Sequence, residues 1–167
     1  PRGTGPGVAI ESNPSPWPLG KARWLKANDH AKVSILALGP MVAQAEIAAE
    51  QLATQGIIVN VLDMRFIKPL DEEAILSLAS HHEMAFITLE EGVLAGGFGA
   101  AVLELLNEHQ LRAPVIRLGL PDRFIEHGSV AEQYAAEGLD AQGIIKAVQS
   151  LLPADHKPQR RNDEISH

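Results

Sequence analysis

The chain has 167 residues, of which 46% are hydrophobic and 21% charged, a balance typical of one globular domain. It contains no cysteine, which excludes disulfides, thiolate catalysis and cysteine-ligated zinc. The net charge of −7 comes from scattered side chains, so no basic face for nucleic acid or an anionic membrane is visible. No apolar run reaches the roughly 18 residues of a membrane span, and no signal-peptide pattern is present, so we expect a cytoplasmic protein.

Residues 1–20 contain five prolines and four glycines, a composition that excludes a helix. Residues 7–10 are a short strand candidate. The sequence starts with Pro1 rather than methionine. We therefore expect residues 1–20 to be the end of a preceding domain and a linker.

A strand–helix–strand unit forms the centre of the predicted fold. The apolar run 33–39 predicts a strand buried on both faces. Residues 41–52 carry apolar side chains at helical spacing, and Gly56 ends that helix. The β-branched run 57–62 predicts a second strand, which a right-handed crossover places parallel to the first. Residues 21–26 alternate charged and apolar side chains, as an edge strand does.

The same alternation continues along the chain. Asp71 stands where a helix N-cap is expected, ahead of a short helix. Residues 84–89 then predict the third strand. The glycine-rich segment 96–99 opens another helix, and residues 115–120 predict the fourth strand.

Two more helices complete the pattern. Ser129 and Glu132 fit the capping-box spacing, and Asp140 caps the last helix. Four core strands alternating with helices, plus an antiparallel edge strand, predict a three-layer α/β sandwich with a mostly parallel sheet of about five strands. We assign this domain to residues 21–152 and expect a polar tail over 153–167.

Ligands of open α/β sheets bind beyond the carboxyl ends of the strands, where the predicted fold has four charged or glycine-rich loops. The favoured interpretation of the charges there is a structural ion-pair network. Its members would be Arg65, Glu90, Glu91, Asp122 and Arg123.

The glycine-rich segment 96–99 allows two interpretations. At a helix start it could expose backbone N–H groups to an anion, in particular near Gly97. Its spacing does not match the G-x-G-x-x-G dinucleotide fingerprint. A tight turn that permits close packing at a subunit interface is favoured.

Other catalytic motifs are absent from the sequence. The seven histidines show no metal-ligand spacing, and there is no nucleophile elbow and no P-loop. His127 lies in a loop at the strand ends, and a hydrogen-bonded structural role is favoured for it. Motifs alone therefore indicate an α/β domain with no catalytic or metal site of its own.

Four segments are nevertheless distinctive, and they occur in the order 1–3, 63–71, 90–99 and 120–129. Together they resemble the C-terminal part of the 1-deoxy-D-xylulose-5-phosphate synthases, over residue 1 to about residue 152. The resemblance extends more loosely to transketolases and to pyruvate dehydrogenase β chains.

The resemblance implies an enzyme that uses thiamine diphosphate and magnesium to join pyruvate to glyceraldehyde 3-phosphate with loss of carbon dioxide. The product feeds isoprenoid, thiamine and pyridoxal biosynthesis. In that family an N-terminal and a middle domain hold the cofactor. Both would precede Pro1, so this fragment alone would be inactive and would help to form the homodimer.

One substrate-binding residue of the family matches this chain. Arg2 corresponds to the arginine that contacts the phosphate of glyceraldehyde 3-phosphate, a role that suits a guanidinium group. Arg65 and Lys68 match the family's loop, where the resemblance implies a structural or interfacial role.

Two other functions stay open at this point. The first is the C-terminal domain of a transketolase or of a 2-keto-acid dehydrogenase β chain. The second is a stand-alone module that binds an anion with Gly97, Arg65 and Arg123.

Overall fold

The computed structural model describes residues 16–153. The strands are β1 (Arg23–Lys26), β2 (Val33–Ala37), β3 (Asn60–Asp63), β4 (Ala85–Val93) and β5 (Val115–Leu120). The helices are α1 (Met41–Thr54), α2 (Glu72–Ala79), α3 (Phe98–Glu108), α4 (Val130–Glu137) and α5 (Ala141–Leu151). The strand candidate at 7–10, Arg2 and the tail from residue 154 lie outside the described residues.

The five strands form one sheet in the order β1-β3-β2-β4-β5. β2 pairs in parallel with both β3 and β4, and β5 pairs in parallel with β4. β1 pairs with β3 in the antiparallel direction. The predicted α/β class, the mostly parallel sheet and the antiparallel edge strand are therefore confirmed.

Helices cover both faces of this sheet. Successive side chains of a strand point to opposite faces, so Ile35 and Leu36 of the fully buried β2 belong to different cores. Ile35 joins the cluster that contains Leu52 of α1 and Ile144 of α5. Leu36 joins the cluster that contains Phe98 of α3. Burial on two faces explains why β2 reads as an unbroken apolar run.

The predicted helix starts are confirmed at three caps. The Asp71 carboxylate accepts from the Ala74 N–H at the start of α2. Ser129 and Glu132 form the complete capping box at the start of α4. The Asp140 carboxylate accepts from the Gly143 N–H at the start of α5. Each cap satisfies N–H groups that the first helical turn leaves unpaired.

Two predicted strand limits are wrong by three residues or more. β3 starts at Asn60 rather than at residue 57, because the Ile57 N–H donates to the Leu52 carbonyl and closes the end of α1. β4 continues to Val93 rather than ending at residue 89, and Val93 pairs with Leu120 of β5. The prediction stopped at the first glutamate, although that side chain is buried.

No helix between residues 16 and 153 combines the length and the apolar character that crossing a bilayer requires.

Candidate functional site at the carboxyl edge of the sheet

The chain changes direction across the sheet at β2. The connection from β2 through α1 leads to β3 on one side, whereas β4 and then β5 lie on the other side. The carboxyl ends of β2 and β4 therefore flank a topological switch point, the usual ligand position in an open α/β sheet. The loops after β3, β4 and β5 meet at this edge.

Glu90 is the buried acid at this edge, with only 3% of its surface exposed. Its carboxylate accepts the N–H of Phe98 at 2.7 Å and the N–H of Gly99 at 2.9 Å. These donors belong to the first turn of α3, whose N-cap Gly97 has no side chain to offer. A negative charge is favoured at a helix N-terminus, so Glu90 caps α3 from the neighbouring strand.

The glycines of this turn are required by close approach. A Cβ atom on Gly97 would overlap the Glu90 carboxylate and the Val93 carbonyl. A Cβ atom on Gly99 would overlap the Thr88 hydroxyl. Real Cβ atoms do not come this close to other heavy atoms, so a methyl group at either position would displace the cap.

Arg65 follows β3 at the same edge, and 10% of its side chain is exposed. Its guanidinium carbon lies 4.4 Å from the centroid of the Trp17 ring, a cation–π contact. The nearest carboxylate oxygen, on Asp63, is 3.7 Å from the Arg65 Nε atom. That distance exceeds a normal N–H···O hydrogen bond, and the buried Nε has no acceptor among the described residues.

The loop after β5 and helix α4 enclose a hollow of about 400 Å³. Its lining includes Arg123, His127 and Glu137. The Arg123 Nη2 atom donates to the Glu137 carboxylate at 2.7 Å, so that guanidinium is already paired. The His127 ring is exposed and makes no hydrogen bond to the described residues.

Glu91 accepts from the Tyr134 hydroxyl at 2.7 Å and so connects β4 to α4. Burial of the phenol, with the adjacent carboxylate as a second cause, raises the pKa of Tyr134 to about 12. The raised pKa keeps the phenol protonated, and the hydrogen bond intact, well into the alkaline range.

The expected ion-pair network is wrong, because the side chains assigned to it bind other groups. Glu90 binds backbone N–H groups, Glu91 binds a phenol, and Arg123 binds a residue of α4. Among the described residues, no ion pair joins two of the five charged side chains that we expected to neutralise one another.

The site residues proposed from sequence therefore lie in different environments. Gly97 is enclosed with Glu90, Arg123 is paired, and Arg65 is buried with free donors. Between residues 16 and 153 no three His, Asp or Glu side chains come together as a metal ligand set. Arg2 lies outside the described residues.

Sequence reasoning missed two contacts, the Glu90 cap and the stacking of Trp17 on Arg65. The signal for the first is present in the sequence, since an acidic pair precedes a glycine-rich helix start that has no capping side chain. The second has no local signal, because Trp17 and Arg65 are far apart along the chain.

These features define an α/β domain whose sheet carries one antiparallel edge strand and whose helix α3 is capped by the Glu90 carboxylate. This chain belongs to the transketolase C-terminal domain family, whose model matches residues 20–144.

Its similar proteins include several 1-deoxy-D-xylulose-5-phosphate synthases. The chain is 47% identical over 150 residues to the synthase of Methylibium petroleiphilum, covering 89% of this chain and 23% of that protein. It is 47% identical over 152 residues to the synthase of Chromohalobacter salexigens, covering 91% of this chain and 22% of that protein. The chain thus spans less than a quarter of these relatives.

Two solved structures show the same architecture. A split-gene transketolase, in its inactive beta4 tetramer, has a TM-score of 0.72 and 35% identity, with 81% of this chain and 43% of that chain covered. The transketolase of Campylobacter jejuni has a TM-score of 0.59 and 20% identity, covering 78% of this chain and 18% of that one. The second likeness concerns the fold alone.

Proposed function

We propose that this chain is the C-terminal domain of a 1-deoxy-D-xylulose-5-phosphate synthase. One observation carries the proposal: synthases from separate bacteria are 40–47% identical to it over 89% or more of its length. The split-gene transketolase is 35% identical to this chain. This lower identity supports membership of the wider family and a greater similarity to the synthases.

The reaction proposed for the whole protein is the joining of pyruvate to glyceraldehyde 3-phosphate with loss of carbon dioxide, in the cytoplasm. Thiamine diphosphate, bound with magnesium, supplies the carbanion chemistry of such an enzyme. The residues described here do not fit that cofactor, since Glu90 already occupies the N–H groups of α3 and no metal ligand set is formed. We therefore assign cofactor binding to the N-terminal and middle domains of a longer protein.

We assign two roles to this chain's own residues. Arg2 binds the phosphate of glyceraldehyde 3-phosphate through its planar set of N–H donors. The start of α3, from Gly96 to Ala101, contributes to a homodimer. Its exposed and half-exposed small side chains, and the tetrameric assembly of the split-gene transketolase, support this assignment.

A domain replacement tests the function. Residues 1–167 replace the matching segment of the Chromohalobacter salexigens synthase, and carbon dioxide release from pyruvate is measured with glyceraldehyde 3-phosphate and thiamine diphosphate. We expect activity, whereas the matched hybrid with the Campylobacter jejuni transketolase domain is inactive. An inactive but folded first hybrid contradicts the proposal, as does turnover by the 167-residue chain alone.

The same hybrid tests Arg2. We expect Arg2→Gln to raise KM for glyceraldehyde 3-phosphate about tenfold or more, because a charge-assisted hydrogen bond to the phosphate is lost. KM for pyruvate stays unchanged. Arg112→Gln, at an exposed position of the same domain, is the matched control. Equal effects of the two changes count against a phosphate contact by Arg2.

Light scattering of the 167-residue chain tests the dimer. We expect Ala100→Arg to shift the chain toward the monomer, because a long charged side chain at the start of α3 blocks close approach. Ala53→Arg, on the exposed side of α1, leaves the mass unchanged. A wild-type chain that is monomeric at every concentration contradicts the assignment.

A further inference from the structure

The carboxyl edge holds three groups that suit an anion, and two of them are satisfied within the chain. The N–H groups of α3 behind Gly97 bind the Glu90 carboxylate. Arg123 donates to Glu137 at 2.7 Å. The third is Arg65, whose Nε is buried and has no hydrogen-bond partner among the described residues, so it is the group at this edge that most needs an acceptor.

It is unusual for a mostly buried arginine such as Arg65 to lack a hydrogen-bond acceptor. With 10% of its side chain exposed, its charge is largely removed from water, and its Nε has no hydrogen-bond partner in the described range. Burial of a charged group is costly unless the group is paired and hydrogen-bonded. A guanidinium group carries five N–H donors in one plane, and Arg65 donates none of them to residues 16–153.

The positive charge at this place exceeds the negative charge. Within residues 16–153, Asp63 is the one carboxylate paired with Arg65, and the Nη2 atom of Arg23 lies 3.6 Å from the same Asp63 oxygen. Two guanidinium groups therefore share one carboxylate, and neither is within ideal hydrogen-bond distance of it. The contact of the Arg65 guanidinium carbon with the Trp17 ring adds no hydrogen-bond acceptor, so the N–H groups remain for an acceptor.

The backbone holds Arg65 in this position under strain. Its φ is +59°, and the Phe66 N–H donates to the Met64 carbonyl, so Arg65 is the central residue of a γ-turn of the rarer, positive-φ form. In the part of the chain that the structure describes, two other non-glycine residues have positive φ, Glu83 and Gln110, and both are exposed. Strain that persists at a buried charged residue is typical of a binding site.

We propose that Arg65, with Arg23 beside it, is a binding site for a small oxyanion, the phosphate or carboxylate group of a ligand. The oxyanion accepts in-plane N–H donors of Arg65 and balances the second positive charge that Asp63 leaves uncompensated. The Trp17 ring forms one wall of this site. The proposal does not rest on the reaction proposed above.

Binding to the 167-residue chain tests this site without any catalytic assay. Inorganic phosphate and acetate are each added at an ionic strength matched with chloride, and melting temperature and tryptophan emission are recorded. We expect at least one oxyanion to raise the melting temperature and change the emission of Trp17, a signal that Trp17→Phe removes. A response to phosphate alone identifies a phosphate-bearing ligand, and a response to acetate as well includes carboxylates.

Variants decide whether Arg65 carries the effect. We expect Arg65→Gln to weaken oxyanion binding about tenfold or more and Arg23→Gln to weaken it about threefold. Arg123→Gln, whose guanidinium is already paired, leaves binding unchanged. If Arg65→Gln does not fold, Arg65→Lys and Arg23→Gln give the same ranking. No response beyond chloride, or an equal response in Arg65→Gln, overturns the proposal and indicates an adventitious ion only.

Discussion

The ends of β3 and β4 make an instructive comparison, because each buries one charged side chain at the same edge of the sheet. At the end of β4, the Glu90 carboxylate lies 2.7 and 2.9 Å from two helix N–H groups. After the end of β3, the nearest carboxylate oxygen in residues 16–153 is 3.7 Å from the Arg65 Nε, which has no hydrogen-bond partner in that range. The Glu90 charge has hydrogen-bond partners in the described part of the chain, whereas the Arg65 charge has none there.

This difference shows that burial alone does not reveal a binding residue. Glu90 is the more buried of the two, yet it works as a helix cap, with each of its carboxylate oxygens accepting one helix N–H. Arg65 is slightly more exposed and keeps its donors. A structural residue therefore differs from a candidate binding residue in whether its buried charge has hydrogen-bond partners, and not in how deeply the charge is buried.

The largest effect is expected for Glu90→Gln. The amide keeps the size of the side chain but presents an NH₂ group to one of two buried N–H donors, and it loses the negative charge. We expect the free energy of unfolding in urea to fall by about 3 kcal/mol. Glu91→Gln, one residue along and exposed, is the control and costs less than about 1 kcal/mol. Equal costs contradict the cap.

Gly97→Ala comes next, with a loss of about 2 kcal/mol, because its methyl group overlaps the Glu90 carboxylate and the Val93 carbonyl. Gly128→Ala is the matched control, since its nearest contact is at 3.4 Å. Urea unfolding of both variants measures the difference. The double variant Glu90→Gln/Gly97→Ala should lose less than the two single losses combined, because both changes act on one contact.

Arg65→Gln tests the second half of the comparison, the charged residue that follows β3. Because Arg65 makes no hydrogen bond within residues 16–153, we expect unfolding free energy to change by less than about 1 kcal/mol, mainly through the lost stacking on Trp17. A loss as large as that of Glu90→Gln in urea unfolding would mean that Arg65 is a structural residue and not a free donor.

The smallest effect is a pH dependence at Tyr134. Its pKa of about 12 lies above the ordinary value of 10.0, so the folded chain holds the phenolic proton more tightly than the unfolded chain. That stabilisation is complete below pH 10 and is lost as the pH rises through about 12. Because the phenol is partly exposed, we expect less than about 1 kcal/mol. Tyr134→Phe should remove this part of the alkaline decline in stability; an unchanged decline contradicts the assignment.

Helix starts were predictable from sequence because their signals are local. Asp71, Ser129 and Asp140 each bond to an N–H three residues ahead, so spacing along the chain is sufficient to find them. The Glu90 cap was not predicted, although the acidic pair ahead of an uncapped helix start is visible, because a cap is normally sought at three residues and not at eight. The limit of β4 was misplaced because a buried glutamate breaks the apolar pattern of a strand.

By itself, the sequence determined the α/β class, the parallel core strands and the antiparallel edge strand, because burial on two faces and helical spacing are written in the order of apolar residues. Only the tertiary structure decided which charges at the carboxyl edge are satisfied. Pairing depends on distances between residues that are remote along the chain. Glu90 and Arg65 therefore look alike as charged residues near strand ends, and separate into a cap and an open donor only once the sheet brings α3, Asp63 and Trp17 beside them.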